Sequence, residues 1–510
     1  MTGAEAVLRT AAAAGIEVCF ANPGTTEMPL VNALDRVPSI RPVLGLFEGV
    51  CSGAADGYAR MSGRPALTLL HLGPGLANAL ANLHNARRAR SPIVNLVGDH
   101  ATWHREADAP LTSDIVSFAR PVSRWVREAR EATRVAQDAA EAIAAAQEAP
   151  GGVATLILPS DCQADEAPGP ARPLATAPPA PARADRIERV AAALRGASNA
   201  GIHLGGRALS ARAQLAAGRV AQATGCRLFS ETFPARFERG AGLPRVERLP
   251  YFPDWVAAFL EGLRTMVLAG TSEPVAFFGY PGVPSILTPQ GCEVLTLATP
   301  EEDVEAALEA LADALGAPAF AAQPAQTPAV PDDWTPQSVG PVLALLQPEG
   351  AIVVDESATT GLGYFEAARA SPRFSLLTLT GGSIGMGPSC ATGAAIACPG
   401  RAVINFQGDG GAMYTLQALW TQAREQLHVV TLICANHAYR ILQIESARAG
   451  VDAGEKALSL TDLSRPRLDW VQLARGMGVP ASRADSVSSL QHALSAALAA
   501  PGPHLIEIDL

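Results

Sequence analysis

Two polar residues follow neighbouring apolar runs near the carboxyl-terminal end of the chain. Asp409 lies in the glycine-rich turn Gly408–Gly411, directly after the predicted strand Ala402–Phe406, and Asn436 follows the predicted strand Val429–Cys434. A right-handed crossover places both residues at the carboxyl ends of parallel strands, where ligands bind in open α/β sheets. Carboxylate and amide oxygens suit a hard cation such as Mg²⁺, which also takes phosphate oxygens. The alternative is a glycine turn with a capping aspartate, followed by an ordinary loop asparagine.

A carboxylate occupies a similar place near the amino-terminal end. Glu48 follows the apolar run Val43–Phe47, which predicts a strand, and precedes the predicted helix Val50–Arg60. A carboxylate in this position is a candidate for proton chemistry. The alternative is a first-turn glutamate that only complements the helix dipole. Neither this carboxylate nor the downstream pair identifies a reaction alone.

Taken together, these residues resemble the motifs of thiamine-diphosphate enzymes. Asp409 lies 27 positions before Asn436, and Glu48 lies far upstream of both. The whole chain resembles, from end to end, the family of acetohydroxyacid synthase, benzoylformate decarboxylase and pyruvate decarboxylase. The resemblance implies three α/β domains with parallel sheets, bound thiamine diphosphate and Mg²⁺, and an enzyme that acts on 2-oxo acids. It also implies a homodimer or homotetramer whose active sites lie at a subunit interface.

The resemblance gives roles to the residues at matching positions. Glu48 would activate the cofactor through its aminopyrimidine ring, and the Gly382 carbonyl would accept a hydrogen bond from that ring. Ile384 would be the apolar wedge that keeps the cofactor bent. The metal ligands would be Asp409, Asn436 and the backbone carbonyl of Ala438. The residues lining the diphosphate would be Gly410, Gly411, Ala412, Tyr414, Ser357 and Thr359.

The residues that would set the reaction most resemble benzoylformate decarboxylase. Thr25, in an Asn-Pro-Gly-Thr-Thr-Glu run, would bind the substrate, and His71, at the end of a predicted strand, would transfer protons. The alternative for His71 is a packed, hydrogen-bonded histidine. Residues 275–282 lack the second histidine of that decarboxylase, which disfavours benzoylformate as the substrate. His100 and His104, on a loop after the third strand, are candidates to replace it, and a plain surface loop is the alternative.

The sequence therefore predicts a 2-oxo acid decarboxylase with acyloin carboligase activity. The alternative is an acetolactate synthase-like carboligase, although a true synthase usually carries glutamine where this chain has Gly49. A non-catalytic member of the fold would have lost Glu48, Asp409 or Asn436, and all three are present. A nucleotide-dependent oxidoreductase is disfavoured because Leu204–Arg207 matches the G-x-G-x-x-G pattern poorly.

Composition limits the other classes of function. The 510 residues are 48% hydrophobic and 17% charged, as in a well-packed globular enzyme. A net charge of -10 without a basic run disfavours binding to nucleic acid or to an anionic membrane. Eight cysteines without a C-x-x-C pair indicate reduced thiols. The chain lacks a signal pattern and any apolar run near the ~20 residues that span a bilayer, so we expect a cytoplasmic protein.

Two stretches rich in proline and alanine divide the chain. They run from Asp165 to Asp185 and from Gly316 to Gln337, and their composition is typical of interdomain linkers. The three blocks alternate short apolar runs with helical runs, which predicts an α/β domain with a parallel sheet in each. The expected domains are a pyrimidine-binding domain at 1–165, a central domain at 186–315 and a diphosphate-binding domain at 338–510.

Overall fold

The structure is a computed structural model that describes residues 1–322, 326 and 329–510. The second of the two expected linkers lies partly outside the described residues, at 323–325 and 327–328. The chain forms two compact units. The first consists of Met1–Thr176, Pro328–Ala368 and Leu379–Leu510, and the second consists of Ala177–Thr327 and Arg369–Thr378. The domain boundaries expected from the sequence stay a prediction.

The amino-terminal part of the first unit is a parallel sheet of six strands with helices between them. The strand order is β2-β1-β3-β4-β6-β5. The strands are β1 Val18–Ala21, β2 Arg41–Leu44, β3 Ala66–His71, β4 Ile93–Asp99, β5 Trp125–Glu128 and β6 Val153–Pro159. The helices are α1 Gly3–Ala13, α2 Met28–Leu34, α3 Glu48–Ser62, α4 Leu72–Ala89, α5 Ile115–Ala119, α6 Val135–Gln147 and α7 Ser160–Ala164, with 3₁₀ turns at Thr25–Glu27 and Arg105–Ala107.

Burial explains why these segments form strands. All seven residues of β4 are buried, as expected for a central strand of a parallel sheet with both faces covered. Two boundaries differ from the sequence-based expectation. The strand before Glu48 ends at Leu44, not Phe47, and Glu48 itself begins α3. The Gly-Pro-Gly run after His71 forms the first turn of α4, where proline is tolerated because its missing N–H has no helical partner.

The second unit contains a five-stranded parallel sheet in the order β10-β8-β7-β11-β12. A further pair of strands, β9 and β14, is antiparallel. The strands are β7 Ala200–Leu204, β8 Arg227–Ser230, β9 Phe237–Arg239, β10 Glu247–Arg248, β11 Thr265–Ala269, β12 Glu293–Ala298 and β14 Phe374–Thr378. The helices are α8 Ala184–Gly196, α9 Ala211–Thr224, α10 Pro253–Phe259 and α11 Val304–Ala314, with a 3₁₀ turn at Gly206–Leu209.

The carboxyl-terminal part of the first unit has five parallel strands in the order β17-β18-β16-β15-β13. They are β13 Ile352–Glu356, β15 Val403–Gly408, β16 Val429–Ala435, β17 Ala481–Ala484 and β18 His504–Asp509. The helices are α12 Pro336–Leu346, α13 Tyr364–Ala367, α14 Met386–Ala397, α15 Asp409–Ala412, α16 Ala418–Arg424, α17 Arg440–Arg448, α18 Glu455–Ser459, α19 Trp470–Gly476 and α20 Val487–Ala499, with a 3₁₀ turn at Thr360–Gly363. The prediction of three α/β regions with parallel sheets is confirmed.

Helices α3 and α14 cross at very close range within the first unit. An added Cβ at Gly57 would lie 2.0 Å from the carbonyl oxygen of Cys390, and one at Gly393 would lie 1.7 Å from that of Ala54. Only glycine allows the two backbones to approach this closely. This crossing fixes α3, which begins at Glu48, against α14. Helix α14 directly follows residues 382–385, the expected wedge segment, which contains Gly382 and Ile384.

Two further findings concern membrane-spanning helices and cysteines. Among the described residues, no helix combines the length and the apolar character needed to cross a bilayer. All eight cysteines fall in the described part of the chain, where they are free thiols, and six of them are buried. The expectation that the cysteines are mostly buried is confirmed.

Candidate active site

Asp409 and Asn436 lie at the same edge of the carboxyl-terminal sheet. Strands β15 and β16 are parallel neighbours with Gly408 opposite Cys434, so the residues that follow them come together. One Asp409 carboxylate oxygen accepts a hydrogen bond from the Gly410 N–H at 2.8 Å, and the other accepts from the His437 N–H at 2.8 Å. The predicted juxtaposition at the carboxyl ends of these strands is therefore present.

The loop after β16 is shaped around this carboxylate. His437 adopts a left-handed conformation with φ 52°, which turns its N–H toward Asp409. The Asn436 side-chain oxygen accepts a hydrogen bond from the Ala438 N–H at 3.1 Å. Hydrogen bonds from Leu463 to the His437 carbonyl and from Tyr439 to the Thr461 carbonyl hold the loop on either side of Ala438.

The buried carboxyl group of Asp409 is the feature that favours a bound cation. The residue is 3% exposed, and burial raises the pKa of its carboxyl group although two backbone N–H groups oppose that change. A buried carboxylate that receives only two N–H bonds has lone pairs left for a metal ion. The oxygen donors at Asp409, Asn436 and Ala438 fit a hard divalent cation such as Mg²⁺.

Glycines bring the backbone close to this site. An added Cβ at Gly410 would lie 2.4 Å from the Tyr439 ring, and one at Gly411 would lie 2.8 Å from the Gln407 amide nitrogen. The residues Asp409–Ala412 form a short helix rather than an open turn. Ala412, the last residue of this helix, is buried and Tyr414 is 52% exposed, so these two of the residues expected at the diphosphate differ in accessibility.

The expected wedge segment is held by the amino-terminal part of the same unit. The Asn85 side chain, on α4, donates to the Ser383 carbonyl at 2.8 Å and accepts from the Ser383 N–H at 3.2 Å. Gly382 has φ 73° and Ile384 is half-buried. The segment that carries the proposed carbonyl acceptor and wedge is thus fixed by side-chain bonds on its amino-terminal side.

Ser357 and Thr359 follow strand β13. Ser357 is buried, and its hydroxyl donates to the Asp355 carboxylate at 2.6 Å. Thr359 leads into the 3₁₀ turn at Thr360–Gly363. Both residues lie at the carboxyl edge of the sheet that carries Asp409, but the Ser357 hydroxyl is directed to Asp355.

Glu48 is buried at the start of α3 with an amide partner. It is 8% exposed, and its carboxylate accepts a hydrogen bond from the Asn78 side chain, on α4, at 3.0 Å. An added Cβ at Gly75 would lie 3.2 Å from a Glu48 oxygen, so the first turn of α4 also packs on the carboxylate. A glutamate that merely complemented a helix dipole would gain nothing from burial.

His71 belongs to a buried hydrogen-bond group that the sequence motifs did not single out. Its Nδ1 atom lies 2.8 Å from a carboxylate oxygen of Glu27, which is fully buried. That oxygen also accepts from the Gly24 N–H at 2.8 Å, while the Thr26 hydroxyl donates to the other oxygen. The Glu27 carboxylate therefore orients the ring and directs its Nε2 atom away from the pair.

The backbone next to His71 is strained. Leu72 has φ 46°, a left-handed conformation that a bulky residue rarely adopts, and it is fully buried. Such strain persists where the surroundings overdetermine the backbone, which is common at functional sites. Thr25, the expected substrate-binding residue, is exposed, and it is Thr26 whose hydroxyl lies 3.3 Å from the His71 ring.

His100 follows the strand next to that of His71. His71 pairs with Gly98 in the parallel register of β3 and β4, so His100 extends beyond the same sheet edge. Its ring packs edge-on against His104 at 5.5 Å between centroids. Nearby, Arg105 bridges the carboxylates of Asp99 and Glu128.

The residues thus form two groups. One contains Glu48 and His71 with their hydrogen-bond partners, and the other, called the Asp409 group, contains Asp409, Asn436 and Ala438. Within the described part of the chain, no hydrogen bond or ion pair joins the Glu48 carboxylate to the Asp409 group. Sequence reasoning missed Glu27, Asn78 and Thr26. Glu27 was recognisable from its place three residues after Gly24, the spacing at which a carboxylate can accept from a turn N–H. Asn78 had no such signal, because its approach to Glu48 depends on how α3 and α4 pack.

Comparison with known proteins defines the class. The family model for the amino-terminal thiamine pyrophosphate-binding domain of thiamine pyrophosphate enzymes matches residues 1–118. The corresponding carboxyl-terminal model matches residues 361–508. Together they cover more than half of the chain, which therefore belongs to the thiamine pyrophosphate enzyme family.

Individual relatives extend over the full chain. A Mycobacterium tuberculosis protein, provisionally named an acetolactate synthase large subunit, is 52% identical and covers 100% of this chain and 99% of its own. Benzoylformate decarboxylase of Pseudomonas aeruginosa is 31% identical over 97% of this chain and 96% of its own. The solved structure of 4-hydroxybenzoylformate decarboxylase from Rhodococcus jostii has a TM-score of 0.87 at 27% identity, covering 99% and 98% of the two chains.

Proposed function

We propose that this protein is a thiamine diphosphate- and Mg²⁺-dependent decarboxylase of 2-oxo acids that also joins the resulting fragment to a second carbonyl compound. The observation that carries the proposal is the buried Asp409 carboxylate beside Asn436 at the ends of adjacent parallel strands. The buried Glu48 carboxylate in the other half of the family's site supports it. Among relatives, two decarboxylases of aryl 2-oxo acids match nearly the whole chain.

The chain's own residues would divide the work between binding and proton transfer. Asp409, Asn436 and the Ala438 carbonyl would hold Mg²⁺, and Gly410 and Gly411 would let the backbone approach the diphosphate. Ser357, Thr359, Ala412 and Tyr414 would surround it. The Gly382 carbonyl and Ile384 would orient the aminopyrimidine and thiazolium rings. Bound thiamine diphosphate supplies a nucleophilic carbon and an electron sink for loss of CO₂.

Glu48 would hold a proton on the aminopyrimidine ring. Its carboxylate keeps one oxygen on the Asn78 amide, which leaves the other for the ring. Water has little access because the residue is 8% exposed, and low polarity strengthens a hydrogen bond to a carboxylate. An amide at this position would keep the shape and remove the acceptor charge.

His71 would transfer protons to and from the substrate, with Thr25 and His100 lining the substrate pocket. The Nδ1 atom of His71 is hydrogen-bonded to Glu27, so the Nε2 atom of His71 is the one left for the substrate. The side chain is 23% exposed, which allows contact with a small molecule. A fixed imidazole is better suited to proton transfer than one that rotates freely.

The working unit is proposed to be a homodimer or homotetramer with sites built from two copies. Within one chain, no hydrogen bond or ion pair of the described residues joins Glu48 to the Asp409 group. Apolar side chains near the Asp409 group, Tyr414 at 52% and Leu442 at 51% exposed, are available for a second copy. Measuring the mass of the assembly by light scattering, together with the activity as the protein is diluted, would test this expectation.

The experiment that tests this proposal measures CO₂ release from a panel of aliphatic and aromatic 2-oxo acids with thiamine diphosphate and Mg²⁺. The test variant is Glu48→Gln. The matched control is Glu106→Gln, which changes an exposed glutamate in the 3₁₀ turn after β4. Release that the test variant abolishes and the control retains would support the proposal. Bound cofactor without release from any acid would refute the 2-oxo acid assignment.

Acetolactate synthesis is the second candidate. The 52% identical mycobacterial relative, provisionally named an acetolactate synthase large subunit, is the observation that favours it. The two candidates share the decarboxylation step and differ in what captures its product. Identifying the product from pyruvate separates them, because a synthase forms acetolactate, which keeps a carboxyl group, whereas a decarboxylase forms acetaldehyde or, by carboligation, acetoin.

A further inference from the structure

A second buried carboxylate lies at the sheet edge that carries Asp409. Glu356, the last residue of β13, is 8% exposed. Its two oxygens accept hydrogen bonds from the Gly385 and Gly387 N–H groups, both at 2.6 Å. These donors belong to the backbone that opens α14, whose first turn has N–H groups without partners in the helix. Glu356 thus occupies, with its own carboxylate, a place that would otherwise attract an anion.

Glu356 joins the two backbone segments of the proposed cofactor site. The Gly385 carbonyl accepts from the Thr415 hydroxyl at 2.6 Å, and an added Cβ at Gly385 would lie 2.4 Å from the Cβ of Tyr414. On the other side, an added Cβ at Gly411 would lie 3.1 Å from a Glu356 oxygen. The carboxylate is therefore packed between the wedge segment and the glycines after β15.

Structural capping alone does not account for an ionisable carboxyl group here. Burial raises the pKa of Glu356 to about 7, against the effect of the two backbone bonds. Within the described part of the chain it forms no ion pair. A buried carboxylate without a cation costs free energy, and a serine or asparagine would cap a helix at lower cost. What these short caps lack is the ability to hold two N–H groups two residues apart with one planar group.

We propose that Glu356 is a positioning residue for the cofactor, and that it sets the backbone from Gly382 to Gly387 so that the Gly382 carbonyl and Ile384 meet the cofactor rings. Asn85 holds this segment before Ile384, and Glu356 holds it afterwards. The wedge is then held by side-chain hydrogen bonds on both of its sides. This inference rests on the proposed function, because it requires thiamine diphosphate to be the ligand.

The test compares Glu356→Gln with wild type by calorimetric titration with thiamine diphosphate and, separately, with inorganic diphosphate, each in the presence of Mg²⁺. Glutamine keeps the volume but can accept only one of the two N–H bonds, because its NH₂ group donates. We expect affinity for thiamine diphosphate to fall about ten- to a hundredfold, as for loss of one hydrogen bond to a charged group. Affinity for inorganic diphosphate, which has no rings to meet the wedge, is expected to change less than about threefold.

The matched control is Glu507→Gln, which alters a fully buried carboxylate on β18 that pairs with Arg467 and Arg483. It is expected to lower the thermal unfolding temperature and leave both affinities unchanged. Glu356→Asp, one methylene shorter, provides the same test if the glutamine variant does not fold.

Three results would overturn the inference in different ways. Wild type that does not bind thiamine diphosphate would remove the proposed function as well. Wild-type affinity in both Glu356 variants would leave the function standing and eliminate the positioning role. Equal losses for both ligands would show that Glu356 acts on the diphosphate glycines instead of the wedge.

Discussion

His203 makes the stability of this protein depend on pH in a direction that the structure specifies. It lies on β7 in the second unit, is 2% exposed, and stacks on Phe229 with 5.2 Å between the ring centroids. Burial lowers the pKa of His203 from its ordinary value of 6.5 to about 4. In the unfolded chain the same imidazole takes up a proton near its ordinary pKa.

The sign and size of the effect follow from these two pKa values. Between about pH 6.5 and about pH 4 the unfolded state binds a proton that the folded state does not, so stability falls as the pH falls. One unit of pKa corresponds to about 1.4 kcal/mol, so the full effect is about 3 kcal/mol. At about pH 4.5 most of it, about 2–3 kcal/mol, is already lost.

The perturbation is His203→Phe, which keeps an aromatic ring against Phe229 and removes the titrating group. The assay is urea unfolding at about pH 7 and about pH 4.5, with the free energy of unfolding compared between variant and wild type at each pH. Relative to wild type, the variant should gain about 2–3 kcal/mol on acidification. His492→Gln, which changes an exposed histidine on α20, is the matched control and should follow wild type. An acid sensitivity that His203→Phe leaves intact would refute the reasoning.

Three further predictions concern the site and the helix crossing. Glu27→Gln should lower kcat about ten- to a hundredfold because the amide no longer fixes His71, with cofactor affinity measured by titration unchanged; a parallel loss of affinity would contradict this role. Asp409→Ala should abolish Mg²⁺-dependent cofactor binding in the same titration, and retained binding would place the metal elsewhere. Gly393→Val should lower the free energy of unfolding by about 2–4 kcal/mol in urea titrations, since even a Cβ would lie 1.7 Å from the Ala54 oxygen. Gly400→Val is the control, at a position with open space around it. It should lower the free energy of unfolding by less, although its φ of 89° is unfavourable for valine.

The amino-acid sequence alone determined the architecture and the Asp409–Asn436 pair. Apolar runs of strand length alternate with helical runs, and this local pattern is enough to predict parallel α/β sheets. Since the carboxyl ends of parallel strands meet at one sheet edge, the places of Asp409 and Asn436 after consecutive strands already implied their proximity. Strand ends were less predictable, because the apolar run before Glu48 continues for three residues beyond the last ladder residue, Leu44.

The tertiary structure decided which side chains support these residues. Glu27 meets His71, Asn78 meets Glu48, and Glu356 meets Gly385 across gaps of about 30 to 45 positions in the chain. Such contacts depend on how helices and strands pack, and no local pattern encodes them. The stacking of His203 on Phe229 is likewise a contact between two strands that no local pattern encodes. The motifs therefore supplied the groups that are proposed to touch the cofactor and metal, and packing alone placed the side chains next to them.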